Sequence, residues 1–141
     1  MSTAAVVSIG YEGRTPAEFV ALLVAHRITK VIDVRELPLS RRKGFSKTPL
    51  SAKLKSAGID YCHVRAAGNP HRHLKADTAR CLAMYTAHLK KHPEVVQLVG
   101  DELLSGRVAV LCFERAHAAC HRSRLLDAVS RSQRVQVVRV E

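Results

Sequence analysis

Apolar residues in this chain fall into short continuous runs that alternate with longer stretches of helical spacing. The first run, AAVVSIG at 4–10, ends in glycine and reads as a buried strand. RTPAEFVALLVAHR follows with a helix start: Thr15 as N-cap, Pro16 at the first helical position, and Glu18 completing a capping box. KVIDVRE (30–36) is a second strand, and polar residues gather at its C-terminal end. After the basic loop LPLSRRKGFSK, Thr48-Pro49 repeats the cap-plus-proline device. It opens a helix with the stripe Leu50, Leu54, Ala57, ended by Gly58. IDYCHV (59–64) is a third strand, and residues 76–92 and 94–104 are predicted helices separated by Pro93. RVAVLCFE is a fourth strand, 121–131 a helix, and RVQVVRV the closing strand.

Strands that read as continuous Val/Ile/Leu runs, each followed by a helix, are the pattern of a parallel sheet covered on both faces. The prediction is one α/β domain over 1–141, with three layers and a mainly parallel sheet of about five strands. Open sheets of this kind bind ligands beyond the carboxyl ends of their strands. Tyr11, Glu12 and Gly13 follow the first strand; Asp33, Arg35, Arg41 and Arg42 the second; His63, Arg65, Asn69 and His71 the third. Cys112, Glu114, Cys120, His121 and Arg122 follow the fourth. Nearly every chemically versatile side chain therefore lies on one edge.

Charge sharpens this picture. The net charge is +11, and it is uneven: residues 35–75 hold ten Lys/Arg against Glu36 and Asp60, and 115–141 hold six Arg against Asp127 and Glu141. A basic excess confined to two segments suggests a face for a phosphate-bearing partner, nucleic acid or nucleotide. Three Tyr, three Phe and no Trp leave no extended aromatic platform for coating single strands. No apolar run is long enough for a membrane span, and the N-terminus lacks the basic start of a signal peptide. Four cysteines without a small-scaffold spacing read as reduced thiols in a cytoplasmic protein.

Candidate chemistry concentrates in VLCFERAHAACHRSRL. The opening of the helix at His121 offers free N–H groups and a favourable dipole to an anion, and Arg122 offers a bidentate fork. The competing role for Arg122 is a tie to Asp33 or Glu114. Cys112 sits inside an apolar run and reads as a small buried hydrophobe, whereas Cys120 beside His121 and Arg122 has the setting of an activated thiol. The set Cys112, His117, Cys120 and His121 was weighed for zinc; C-x7-C-H lacks paired ligand spacing, so neither metal nor cofactor is expected. Glu12 and Asp33 are acid–base candidates, with a structural role preferred for Asp33.

SIGYEGRTPAEFVALL, the stretch from VIDVRELPLSRRKGFSK to IDYCHV, AAGNP and VLCFERAHAACHRSRL together resemble domain-of-unknown-function family 488 over about residues 7–127. The resemblance implies a compact bacterial or archaeal α/β domain with suggested nucleic-acid or nucleotide roles. It marks Gly10, Tyr11, Glu12, Asp33, Arg35, Arg41, Arg42, Phe45, Ser46, Cys112, Glu114, Cys120, His121 and Arg122 as the positions that matter. VIDVRE with a later strand–Cys–loop–helix also resembles a rhodanese, but the loop after Cys112 is longer than that family's. The phosphatase spacing C-x5-R fails as well, since Ala118 and Leu126 stand where the arginine belongs.

The reading that follows is a phosphate-bearing ligand held at the strand edge by Asp33, Arg35, Arg41, Arg42, Ser46, Glu114 and Arg122. Glu12, Tyr11, Cys120 and His121 are the candidates for chemistry. A thiol-dependent sulfur- or phosphoryl-transfer enzyme and a non-catalytic binding module remain the alternatives.

Overall fold

In the computed structural model, which describes residues 4–74 and 76–141, the first strand enters the sheet one place in from its edge. β1 (Ala4–Gly10) leads through α1 (Pro16–Ala25) to β2 (Lys30–Asp33), then through α2 (Lys47–Ser56) to β3 (Asp60–His63). Two helices, α3 (Thr78–Lys91) and α4 (Pro93–Glu102), precede β4 (Val108–Cys112); α5 (His121–Ser130) precedes β5 (Val135–Val140). The strand order is β3-β2-β4-β1-β5, and every neighbouring pair is parallel. The α/β class and the five strands are as the pattern predicted.

The pleat divides the core in two. Val6, Ile32, Val108, Val110 and Cys112 face α3, α4 and α5, where they meet Tyr85, Val99, Leu125 and Val129. Val7, Ile9, Val31, Ala109 and Leu111 face α1 and α2, against Phe19, Leu23, Leu50 and Leu54. Each buried Val, Leu, Ile or Phe among these is worth about 1.5–3 kcal/mol over its exposed state. The alternation explains why the strands read as unbroken apolar runs: both faces are covered.

Local signals fared unequally. Thr15 Oγ1 accepts from the Glu18 backbone N–H at 3.1 Å, as an N-cap should. The second helix begins earlier than Thr48-Pro49 suggested, with Ser46 at the N-cap and Lys47 in the first turn. Pro49 sits inside that turn, where its missing N–H costs nothing because first-turn donors lack intrahelical acceptors. Ser46 bonds Ser40 rather than the helix, accepting from its backbone N–H at 3.0 Å. β2 and β4 stop at Asp33 and Cys112, short of the expected 36 and 114. Past those residues the chain turns over the sheet edge, and the ladder loses its partners.

β1 and β4 lie side by side, yet the chain leaves β1 towards α1 on one face and β4 towards α5 on the other. Adjacent strands whose connections part in this way open a crevice between them. The two departing loops touch at Gly10. A Cβ added there would lie 1.8 Å from the Glu114 carbonyl oxygen, so only glycine fits.

Candidate functional site

A cleft of about 430 Å³ opens at this crevice. Its wall includes Tyr11, Glu12, Arg35, Cys112, Glu114 and His121, and Leu37, Leu39 and Phe113 form an apolar rim, 39%, 70% and 40% exposed.

On the α1–α2 side, Asp33 is fully buried and saturated. Its carboxylate accepts from the Arg35 backbone N–H at 3.1 Å, from Arg35 Nε at 2.9 Å and Nη2 at 2.7 Å, and from the Tyr61 hydroxyl. Arg35 Nη1 donates to the Phe45 carbonyl at 2.7 Å and to the Tyr11 hydroxyl at 3.4 Å. Burial opposes the Arg35 charge, but Asp33 more than offsets it and raises the guanidinium pKa above its ordinary value. Burial, then Asp33, raises the Tyr61 phenol. Tyr11 stacks on Phe45 with centroids 4.5 Å apart and meets Phe113 edge-on at 5.3 Å. Arg35 is thus a strut whose donors are spent inside the fold. Tyr61, which the sequence did not single out, shares a face of the sheet with Asp33 through strand register.

On the α3–α5 side the loop after β4 folds back so that Cys120 becomes the N-cap of α5 and His121 its first residue. His121 Nε2 lies 2.8 Å from the Val34 carbonyl oxygen. A carbonyl only accepts, so Nε2 carries the hydrogen and Nδ1 is turned to the sulfurs. Cys112 Sγ and Cys120 Sγ each lie 3.7 Å from that nitrogen, and the three atoms are all within 4.8 Å of one another. Three of the four residues weighed as zinc ligands therefore meet. The fourth, His117, turns away to Ser8 Oγ at 2.6 Å. Of the two sulfurs it is Cys112 that lines the cleft, while Cys120 has the setting of an activated thiol.

The charges around this cluster are mutually dependent. Burial pushes the Cys120 thiol up, but the hydrogen bond from Cys112, the His121 imidazole and Arg122 carry it well below its ordinary value. Cys112, donating to Cys120 and buried, is pushed well up. His121 is held down by burial and raised more strongly by Cys120. Burial, then the charge on Cys120, raises the Glu114 carboxyl. Of the two sulfurs Cys120 is the one that favours the anion, and the raised His121 imidazole lies against it.

Arg122 is fully buried and does not form the expected fork or a tie to the Asp33 carboxylate. Its Nη2 donates to the Glu114 backbone carbonyl, while Nε, Nη1 and Glu114 Oε2 have no partner. Arg41 and Arg42 are exposed on the loop before α2, and neither lines the cleft; Arg42 Nη2 donates to the Arg14 carbonyl at 2.8 Å. Ser46 is likewise outside it. Glu12 is exposed, and its Oε1 accepts from the Arg115 backbone N–H at 3.0 Å, pinning the start of the β4–α5 loop. Asn69 lines the cleft and donates to Cys81 Sγ at 3.2 Å. The expected anion cradle therefore does not assemble: two of its arginines are buried in the fold and two stand outside. All four cysteines are free thiols, and among the described residues no helix is long and apolar enough to cross a membrane.

The family model described as Domain of unknown function DUF488 matches residues 15–129. No curated protein and no solved structure matches the chain.

Proposed function

From a chain that belongs to the DUF488 family, whose description states no activity, we propose that the protein is an enzyme of hydrolytic or group-transfer type. Its reactive centre is the thiolate formed by Cys112, Cys120 and His121 at the cleft. The observation that carries this reading is the convergence of two sulfurs on one oriented imidazole nitrogen beside a buried guanidinium. A buried charge without a counter-charge is costly, and Arg122 has no carboxylate hydrogen bond. A thiolate nearby supplies that counter-charge, and the thiolate is the reactive form of cysteine. The lining carries Glu12, Glu36 and Glu114 against Arg35 and Arg72, and Arg35 is neutralised by Asp33. Such a cleft suits a compact substrate with an apolar part better than a polyanion.

Alkylation of the metal-free protein with iodoacetamide across a pH series tests this. Alkylation at pH 6 is expected to be faster than that of a free thiol, because the Cys120 thiol is held low, and to enter at Cys112, the sulfur of the pair that lines the cleft. His121→Ala should remove that advantage, and Cys112→Ser should remove the modified peptide. An ordinary thiol titration at all four cysteines would end the proposal.

A second reading keeps the polyanion but moves it. Arg41, Arg42, Lys43, Lys47, Lys53 and Lys55 are all exposed, and no acidic residue lies between 41 and 56. That face supports docking of nucleic acid beside the cleft rather than inside it.

A further inference from the structure

We propose that Cys112, Cys120 and His121 form a metal centre for a thiophilic divalent ion such as zinc, with an open coordination position towards the cleft. This rests on the reading of the cleft as a thiolate-centred active site and names what the thiolates hold. The first argument is distance. A tetrahedral ion with metal–sulfur bonds of about 2.3 Å and a metal–nitrogen bond of about 2.05 Å separates sulfur from nitrogen by roughly 3.6 Å and sulfur from sulfur by roughly 3.8 Å. Both sulfur–nitrogen distances are 3.7 Å, and the sulfurs fall within the 4.8 Å limit of the cluster. Both sulfur–nitrogen separations are those a shared ion would impose.

The second argument is orientation. Metal-bound histidines almost always donate their other ring N–H to a carbonyl or carboxylate, which fixes the tautomer. His121 has that arrangement: Nε2–H to the Val34 carbonyl at 2.8 Å, with Nδ1 facing the sulfurs. The ring is further held edge-on against Tyr85, centroids 4.9 Å apart.

The third argument is charge and an orphaned atom. Glu114 Oε2 is buried without a partner and lines the same cleft. Two thiolates, the Glu114 carboxylate, the Arg122 guanidinium and a divalent ion sum to zero net charge. Three protein ligands with a fourth position open to a cleft are the arrangement of catalytic rather than structural zinc. Glu114 stands beside that position, suited to take a proton from a bound water. Thiolate and neutral imidazole are the forms that bind a metal, so binding releases protons and weakens as pH falls. The chain spacing hides this centre, because Cys112 and Cys120 are brought together only by the loop that closes over Arg122.

Titration of the full chain with Co²⁺ tests the assignment. One equivalent should give a thiolate-to-cobalt charge-transfer band with the intense ligand-field absorption of a tetrahedral site, and Zn²⁺ should displace it. Cys112→Ser and Cys120→Ser should each lose the band, and His121→Ala should weaken binding by more than about tenfold, with folding checked by far-ultraviolet circular dichroism. A thiolate band that survives Cys112→Ser/Cys120→Ser places the ion on Cys62 or Cys81, and Co²⁺ binding without a thiolate band places it on histidines such as His71, His73, His88 and His92; either overturns the proposal. A readout that needs no variant is protection: Zn²⁺ should block iodoacetamide at Cys112 in the native sequence. If Cys112 alkylates rapidly at pH 6 but neither ion binds, the metal centre falls and the thiolate reading stands. If neither occurs, both fall.

Discussion

Asp33 shows how much one side chain can organise here. It sits at 0% exposure, and every hydrogen bond its carboxylate accepts comes from Arg35, whose guanidinium reaches Phe45 and Tyr11, or from Tyr61. Removing its charge leaves Arg35 buried without a counter-ion, which typically costs about 3–5 kcal/mol. Asp33→Asn is therefore expected to lower the urea midpoint by that equivalent and to loosen the Tyr11–Phe45 stack, read as a change in the near-ultraviolet spectrum of the tyrosines. A loss below about 1 kcal/mol would place Arg35 in contact with water instead. The same residue explains a misreading. Arg35 looked like an anion ligand because a sequence shows the guanidinium but not where its donors go. Here a carboxylate two residues away had already claimed them. For Arg122 the sequence shows a helix start but not the loop that closes over it, which takes its Nη2 to the Glu114 carbonyl.

Among the elements, the β4–α5 connection matters most. It is pinned by Glu12 at Arg115, by Arg122 at Glu114 and by the passage over Gly10. Gly10→Ala pushes a methyl group into the Glu114 carbonyl. Overpacking costs about 1–3 kcal/mol, and the displaced loop should also slow alkylation of Cys112. Gly58→Ala makes a useful contrast: its φ of 75° imposes strain of about 1–2 kcal/mol, but open space surrounds it and the cleft lies elsewhere. Stability should fall in both variants and thiol reactivity only in the first. Helices and strands were legible in the sequence because caps, prolines and apolar runs are local signals. The start of α2 was not, since Ser46 and Thr48 both resemble caps and the choice depends on Lys47 bonding back to Pro38. Cys112 was read as core, and it is core on the strand side; that its sulfur also opens to the cleft depends on how the loop turns.

At the scale of the whole molecule, part of the net charge of +11 lies outside the cleft: Arg41, Arg42, Lys43, Lys47, Lys53 and Lys55 are exposed and none lines it. Binding to duplex or single-stranded nucleic acid, if the α2 face provides it, should weaken linearly in log salt. Arg41→Ala/Arg42→Ala should make that slope shallower by about 1–2 while leaving Cys112 alkylation unchanged; equal slopes would remove this face from consideration. The strand edge as the place of the site was readable from the α/β pattern alone, because parallel sheets gather their functional loops at one end. The strand order carries a further consequence, one of timing. β4 is inserted between β2 and β1, so a growing chain that has made only its first hundred residues has a gap at the centre of its sheet. Both sulfurs and the imidazole are synthesised after that point. Pairings so distant along the chain form slowly, and the reactive centre cannot come into being until β4 has entered the sheet.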